Sequence, residues 1–393
     1  MKQHTNLLVL MGLILLGAIS RSPTVSLGPL MPDIQSTLAL DYGWSGFIVT
    51  LPVIIIALSS IPVSKLVGRK GTGKPILFGL TLYGIALCIR SSFGIYGIFF
   101  GSALVGLGIC FINVLAPTLI KEYFPSRVGP MTGTYTTMMY LFAAISSATA
   151  VPVAHKVDSW QIALAMWLPL VLVCLIIWGV QYKKSHPFIP PQDTLSISGG
   201  RLLKESPLAR WIIVLMASQG FIYFCALSWL PTIIQQSGYG DTEAGLVASV
   251  VQICGIPGAM LAGAVVHRFR SQQIPCMVAG GTFLTASLLM VFSQTLTGFL
   301  LCAVFLGFSM AAAYTLFLCV LTLRAGSPQQ AGQLTGIVFL IGYLVASTGP
   351  WFMGRVYDWT ENWTFPILAL IMASILYGLA GYKAGRNQTI GNS

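Results

Sequence analysis

"LLVLMGLILLGAISRSPTVSLGPLMPDI", residues 7–34, is apolar enough to cross a bilayer and yet carries one arginine, Arg21. At about 1.5 Å of rise per helical residue, Arg21 lies about 21 Å from Leu7, inside a hydrocarbon core about 30 Å thick. A guanidinium at that depth costs about 3 kcal/mol on insertion scales, so such a group faces a partner, an aqueous cavity or a solute pathway. Pro23 follows two residues later and cannot donate to the carbonyl of Ile19, which predicts a bend beside the charge. Gly28, Pro29 and Pro32 loosen the far end further. A bent helix with freed carbonyls and one rigid five-donor fork suits an anion or dipole site, and Arg21 is the first candidate substrate-binding residue. The competing roles for Arg21 are snorkelling outward and bonding to carbonyls of neighbouring helices.

The rest of the chain has the same character. With 55% hydrophobic and 8% charged residues and a mean hydropathy of +0.82, it departs far from a soluble globule, whose charged fraction is near 25%. Apolar runs fall near residues 6–30, 44–66, 74–92, 95–120, 130–153, 160–182, 209–234, 243–266, 274–293, 297–322, 332–354 and 362–384. Each has the length of a tilted transmembrane helix and none shows the strict alternation of a barrel strand, so the fold class is all-α integral membrane with twelve transmembrane helices. Residues 1–20 also have the look of a signal peptide, but the run is read here as the first span.

Net charge is +11, yet the basic residues lie in short loops rather than in a patch, which marks topology and not nucleic-acid binding. With a cytoplasmic N terminus, seventeen of the 21 Lys and Arg residues fall in inner loops and tails, and only Arg90, Lys156 and Arg355 fall outside. Both termini are therefore expected in the cytoplasm of a cell with an inner membrane.

The sequence is also an internal duplication. Pro32, Gly46 and Arg69 recur as Pro231, Gly245 and Arg268 at an offset of 199 residues. Gly129, Gly133, Tyr140 and Trp160 recur as Gly332, Gly336, Tyr343 and Trp363 at an offset of 203. The expected organisation is a six-helix bundle over 1–182, a cytoplasmic linker over 183–208 and a second bundle over 209–393, the two copies sharing one orientation.

Repeat symmetry singles out Tyr140 and Tyr343, each about ten residues into its span and so near mid-membrane. Gln219, Tyr223 and Trp229 occupy the region of the seventh span that matches Arg21 to Leu30, and could supply donors and a stacking face. Asn113 in the fourth span completes the set of candidate substrate-binding residues; for it, as for Thr136, Thr137 and Gln252, bonding between helices is the competing role. "GPMTG" and "GQLTG" space Gly129 from Gly133 and Gly332 from Gly336 by four, which allows close helix approach. The eight cysteines read as small apolar fillers, the four histidines form no metal cluster, and no P-loop string occurs. No cofactor, metal or catalytic residue is expected, and the spans hold no carboxylate or Ser/His arrangement of the kind an intramembrane enzyme needs.

Two parallel six-helix halves, a basic loop after the second span and a long inner linker resemble the major facilitator superfamily. "SRSPTVSLGPLMPDI", "GWSGFIVTLPVIIIALSSIPV", "NVLAPTLIKEYFP", "GTYTTMMY" and "GYLVASTGPWFMGRVYD" are similar to its cyanate and nitroimidazole transporter branch. One departure stands out. "IPVSKLVGRKG" keeps Gly68, Arg69 and Lys70 of the superfamily loop but has Lys65 where an Asp is usual. The resemblance implies a monomeric secondary or facilitative transporter that moves a small planar solute, cyanate-like or nitroimidazole-like, by alternating access. An inorganic oxyanion carrier or polyspecific drug efflux is the alternative within the same superfamily.

Overall fold

The structure, a computed structural model, describes residues 2–40, 42–184 and 206–390. Every regular element in them is helical: α1 (Lys2–Val25), α2 (Leu27–Leu38), α3 (Tyr42–Lys70), α4 (Gly73–Ser92), α5 (Gly94–Tyr123), α6 (Val128–Val157), α7 (Trp160–Ala165) and α8 (Leu168–Lys184) in the first half. The second half has α9 (Pro207–Gln236), α10 (Asp241–Val266), α11 (Gln273–Phe292), α12 (Leu296–Arg324), α13 (Pro328–Thr360) and α14 (Thr364–Ala384). Among the described residues, 12 stretches are long and apolar enough to cross a membrane, in agreement with the periodless apolar runs of the sequence. Most of the linker expected at 183–208 lies outside the described residues.

Two of these stretches are each made of two helices, and each break follows from a proline. Pro23 lacks the N–H that would bond Ile19, and the first span parts at Ser26 into α1 and α2. Pro169 likewise cannot donate to Ala165, the last residue of α7, and sits comfortably in the first turn of α8, where its missing donor is not needed. Other helix starts carry ordinary caps. Ser206 accepts from the Ala209 N–H just ahead of Pro207, and Thr295 accepts from the Gly298 N–H.

The chain forms two compact units. Unit 1 comprises residues 1–125, 138–196 and 327–336, and unit 2 comprises residues 126–137, 197–326 and 337–393. In unit 1, α5 packs against α3 and α4, and α8 packs against α1 and α4. Glycines bring these backbones together: a Cβ on Gly108 would stand 2.8 Å from the Cβ of Tyr83, and one on Gly101 would stand 2.5 Å from the Cα of Arg90. In unit 2, α12 packs against α10 and α11, and α14 against α9 and α11.

The two small-residue motifs do bring helices close. Within unit 2 a Cβ on Gly133 would stand 2.8 Å from the Cα of Gly263. Within unit 1 the Ser60 hydroxyl donates to the carbonyl of Gly336 at 2.7 Å.

Two arginines assigned to loops by sequence are buried at helix ends instead. Arg324, 3% exposed at the end of α12, donates to the Gly385 carbonyl at 2.9 Å and to the side chain of Gln272, while its own carbonyl accepts from Ile390 N. The C-terminal segment after α14 is thereby strapped to unit 2. Arg90, the other, belongs to the site described next.

Candidate functional site

Pro23 leaves Ile19 O without its helical donor, and side chains from other helices of unit 1 reach the carbonyls on either side of the break between α1 and α2. The Tyr83 hydroxyl on α4 donates to Ile19 O at 2.8 Å, the very carbonyl that Pro23 cannot serve. Ser146 on α6 donates to Ser22 O at 2.6 Å. Arg90, in the last turn of α4, donates through Nη1 to Pro23 O at 2.7 Å. Ser26 contributes locally, its N–H reaching Ser22 O at 3.1 Å and its hydroxyl reaching Pro23 O at 3.2 Å. Unsatisfied carbonyls at this depth would cost several kcal/mol each, so these donors are what makes the break tolerable.

Arg21 lies within one turn of this break. Its side chain is half-buried, and its guanidinium carbon stands 5.0 Å from the centroid of the Tyr140 ring on α6. Tyr140 itself is 2% exposed. A guanidinium over a tyrosine face is held by the ring quadrupole, worth about 0.5–1 kcal/mol when exposed and about 2 when desolvated. Thr24 accompanies it by donating to Arg21 O at 2.7 Å. Asn113 is buried in α5 of the same unit. The structure thus brings Arg21 and Tyr140, two residues singled out separately by sequence, into one contact.

The candidates of unit 2 form a second group. Gln219 and Tyr223 are one turn apart on α9; Gln219 is 2% exposed, and its Nε2 has no hydrogen-bond partner among the described residues. Tyr223 meets Phe224 with ring centroids 5.2 Å apart, Phe224 meets Tyr343 at 6.5 Å, and Tyr343 meets Phe339 at 5.3 Å. Tyr223 also borders a cavity of about 40 Å³ with Pro231, Gln252 and Met310. Trp229 stands apart from this chain of rings. Its indole N–H donates to Pro350 O at 2.9 Å and its ring lies 5.3 Å from that of Trp363, so its donor is committed to joining α9 to α13.

Sequence reasoning missed Arg90. The loop count assigned it to the outer loop at the end of the third run, whereas the structure leaves it 0% exposed. The available signal was Gly97 and Gly101, four residues apart, which let α5 descend onto the last turn of α4.

No group of His, Cys, Asp or Glu able to hold a metal occurs among the described residues. Unit 1 offers a cation on an aromatic face, and unit 2 a buried amide donor on α9; each can bind and orient a polar group.

A family profile described as Major Facilitator Superfamily matches residues 10–350. The 2-nitroimidazole transporter of Escherichia coli (strain K12) is 30% identical over 390 residues, covering 98% of this chain and 97% of its own. The cyanate transport protein CynX of the same organism is 21% identical over 384 residues, covering 94% and 96%. Among solved structures, the transporter FucP in the outward conformation matches with a TM-score of 0.78 at 15% identity, covering 96% of this chain and 98% of that one.

Proposed function

Because the chain belongs to the major facilitator superfamily, whose members are membrane transporters and not enzymes, we propose that it carries a small planar solute, cyanate-like or nitroimidazole-like, bound at Arg21 over Tyr140. The observation that carries this reading is the placement of the Arg21 guanidinium carbon 5.0 Å from the centroid of the Tyr140 ring. The guanidinium is planar, so its paired edge donors can meet a carboxylate, cyanate or nitro group side by side. A lysine would offer the same charge without that plane. Gln219, Tyr223 and Tyr343 in unit 2, with Asn113 in unit 1, are the further proposed solute contacts, and Trp229 contributes its ring face alone. The solute classes follow those named for the 2-nitroimidazole and cyanate relatives. The protein is proposed to work as a monomer in an inner membrane, with both termini cytoplasmic, exposing its site to one side at a time.

The test is uptake and counterflow in proteoliposomes with labelled cyanate and 2-nitroimidazole as probes. Arg21→Lys should cut transport about tenfold or more, the equivalent of about 1.4 kcal/mol of lost binding. Arg21→Gln should be worse still for the anion, whose charge it leaves uncompensated, but near Arg21→Lys for the neutral nitro compound. Wild-type transport of both probes in both variants, at matched membrane abundance, would reduce Arg21 to a structural residue and end this reading.

A further inference from the structure

Arg90 is a cation sealed inside unit 1, and the solute site does not use it. It is 0% exposed, its Nη1 donates to Pro23 O at 2.7 Å, and its Nε and Nη2 have no hydrogen-bond partner among the described residues. A neutral donor could serve one carbonyl at far lower desolvation cost, so the charge needs its own reason. The carbonyl it serves supplies one. Pro23 lies in the last turn of α1, where the helix ends at Val25 and unbonded carbonyls carry the partial negative charge of the helix terminus. Arg90 is therefore a cation set against the C-terminal end of a broken helix.

Tyr83, two turns earlier on α4, reaches Ile19 O, one turn earlier on α1. The two α4 side chains thus hold successive turns of α1 on either side of Arg21. Gly101 makes this possible, since any Cβ there would strike the Arg90 backbone at 2.5 Å.

We propose that Arg90 is a positioning residue for solute binding: by holding Pro23 O it fixes the break after Arg21 and so holds the Arg21 guanidinium over Tyr140. This rests on Arg21 being the solute anchor; the hold on the break itself does not. Without Arg90, the turn from Thr24 to Leu27 loosens and Arg21 samples other directions, which weakens binding more than it slows the carrier's turnover. Lysine at the same position keeps the charge and one donor for the single carbonyl contact.

The experiment uses the full chain reconstituted with 2-nitroimidazole and cyanate as probes, reading KM and maximal rate separately. Hydrogen exchange of the amides over residues 24–27 is measured without solute. Arg90→Met should raise KM about tenfold or more with a smaller change in maximal rate, and should speed exchange over 24–27. Arg90→Lys should stay within about threefold of wild type in both. Tyr83→Phe, a milder change, should shift both measures in the same direction by less, and it decides the matter if Arg90→Met fails to insert. Wild-type exchange in Arg90→Met and Tyr83→Phe overturns the lock, as does an Arg90→Lys variant no better than Arg90→Met. Faster exchange with unchanged KM overturns the positioning role. Arg21→Gln measured in parallel separates the two claims: unchanged KM there defeats Arg21 as anchor, while the exchange data still judge Arg90.

Discussion

Tyr140 presents a face to a cation, and which part of the side chain matters is open to direct measurement. If the ring quadrupole is what holds Arg21, Tyr140→Phe keeps the interaction and Tyr140→Leu loses it. KM for 2-nitroimidazole should stay close to wild type with Phe and rise about 2- to 30-fold with Leu, the span set by about 0.5–2 kcal/mol. Equal damage from both would assign the role to the hydroxyl. Arg21 stood out in the sequence because it interrupts a long apolar run, where a charge costs enough to need a partner. Arg90 was not legible, because it stands at the edge of its run beside two serines and looks like the first residue of a loop. Only the descent of α5 through Gly101 onto α4 buries it, and that is a property of two helices, not of one.

Elements were legible to the extent that local chemistry defines them. Apolar length gave the spans, and the missing N–H of Pro23 gave the break in the first. Pro169 carried the same information for the break between α7 and α8, in a run that composition alone makes look continuous. Packing between elements was legible only where small residues recur, as in "GPMTG". The geometry there yields a contrast. A Cβ on Gly263 of α10 would stand 2.5 Å from the Cα of Gly133, a backbone contact that cannot yield without moving a helix, whereas one on Gly281 of α11 meets nothing within 4 Å. Gly263→Ala should therefore lower the thermal midpoint of the detergent-solubilised protein, by an amount typical of overpacking at about 1–3 kcal/mol. Gly281→Ala, which removes a flexible residue from a helix interior, should leave the midpoint unlowered. Equal midpoints for the two variants would mean that α6 and α10 do not approach as closely as the glycines allow.

At the scale of the molecule, duplication fixed positions but not their chemistry. Tyr140 and Tyr343 are repeat partners, yet Tyr140 has a guanidinium on its face while Tyr343 has the rings of Phe339 and Phe224. The reason lies one offset away, since the residue 199 places after Arg21 is Gly220, so the second copy has no cation to offer. Duplication also gave no hint that residues 126–137 cluster with unit 2 and residues 327–336 with unit 1, because such an exchange depends on tertiary packing. That exchange sharpens what cutting the chain should do. Fragments 1–195 and 196–393 part the protein between Lys184, the end of α8, and Ser206, whose hydroxyl caps α9, so the cut spares every helix and cap of the described residues. Each fragment alone, however, lacks a piece of its own unit: 1–195 lacks the segment 327–336, and 196–393 lacks 126–137. Co-expressed, the fragments should insert, copurify and restore uptake of 2-nitroimidazole, whereas each fragment expressed singly should be degraded faster and bind no solute. Two inserted fragments that fail to copurify, or that copurify without transport, would show that the covalent connection does more than tether the halves.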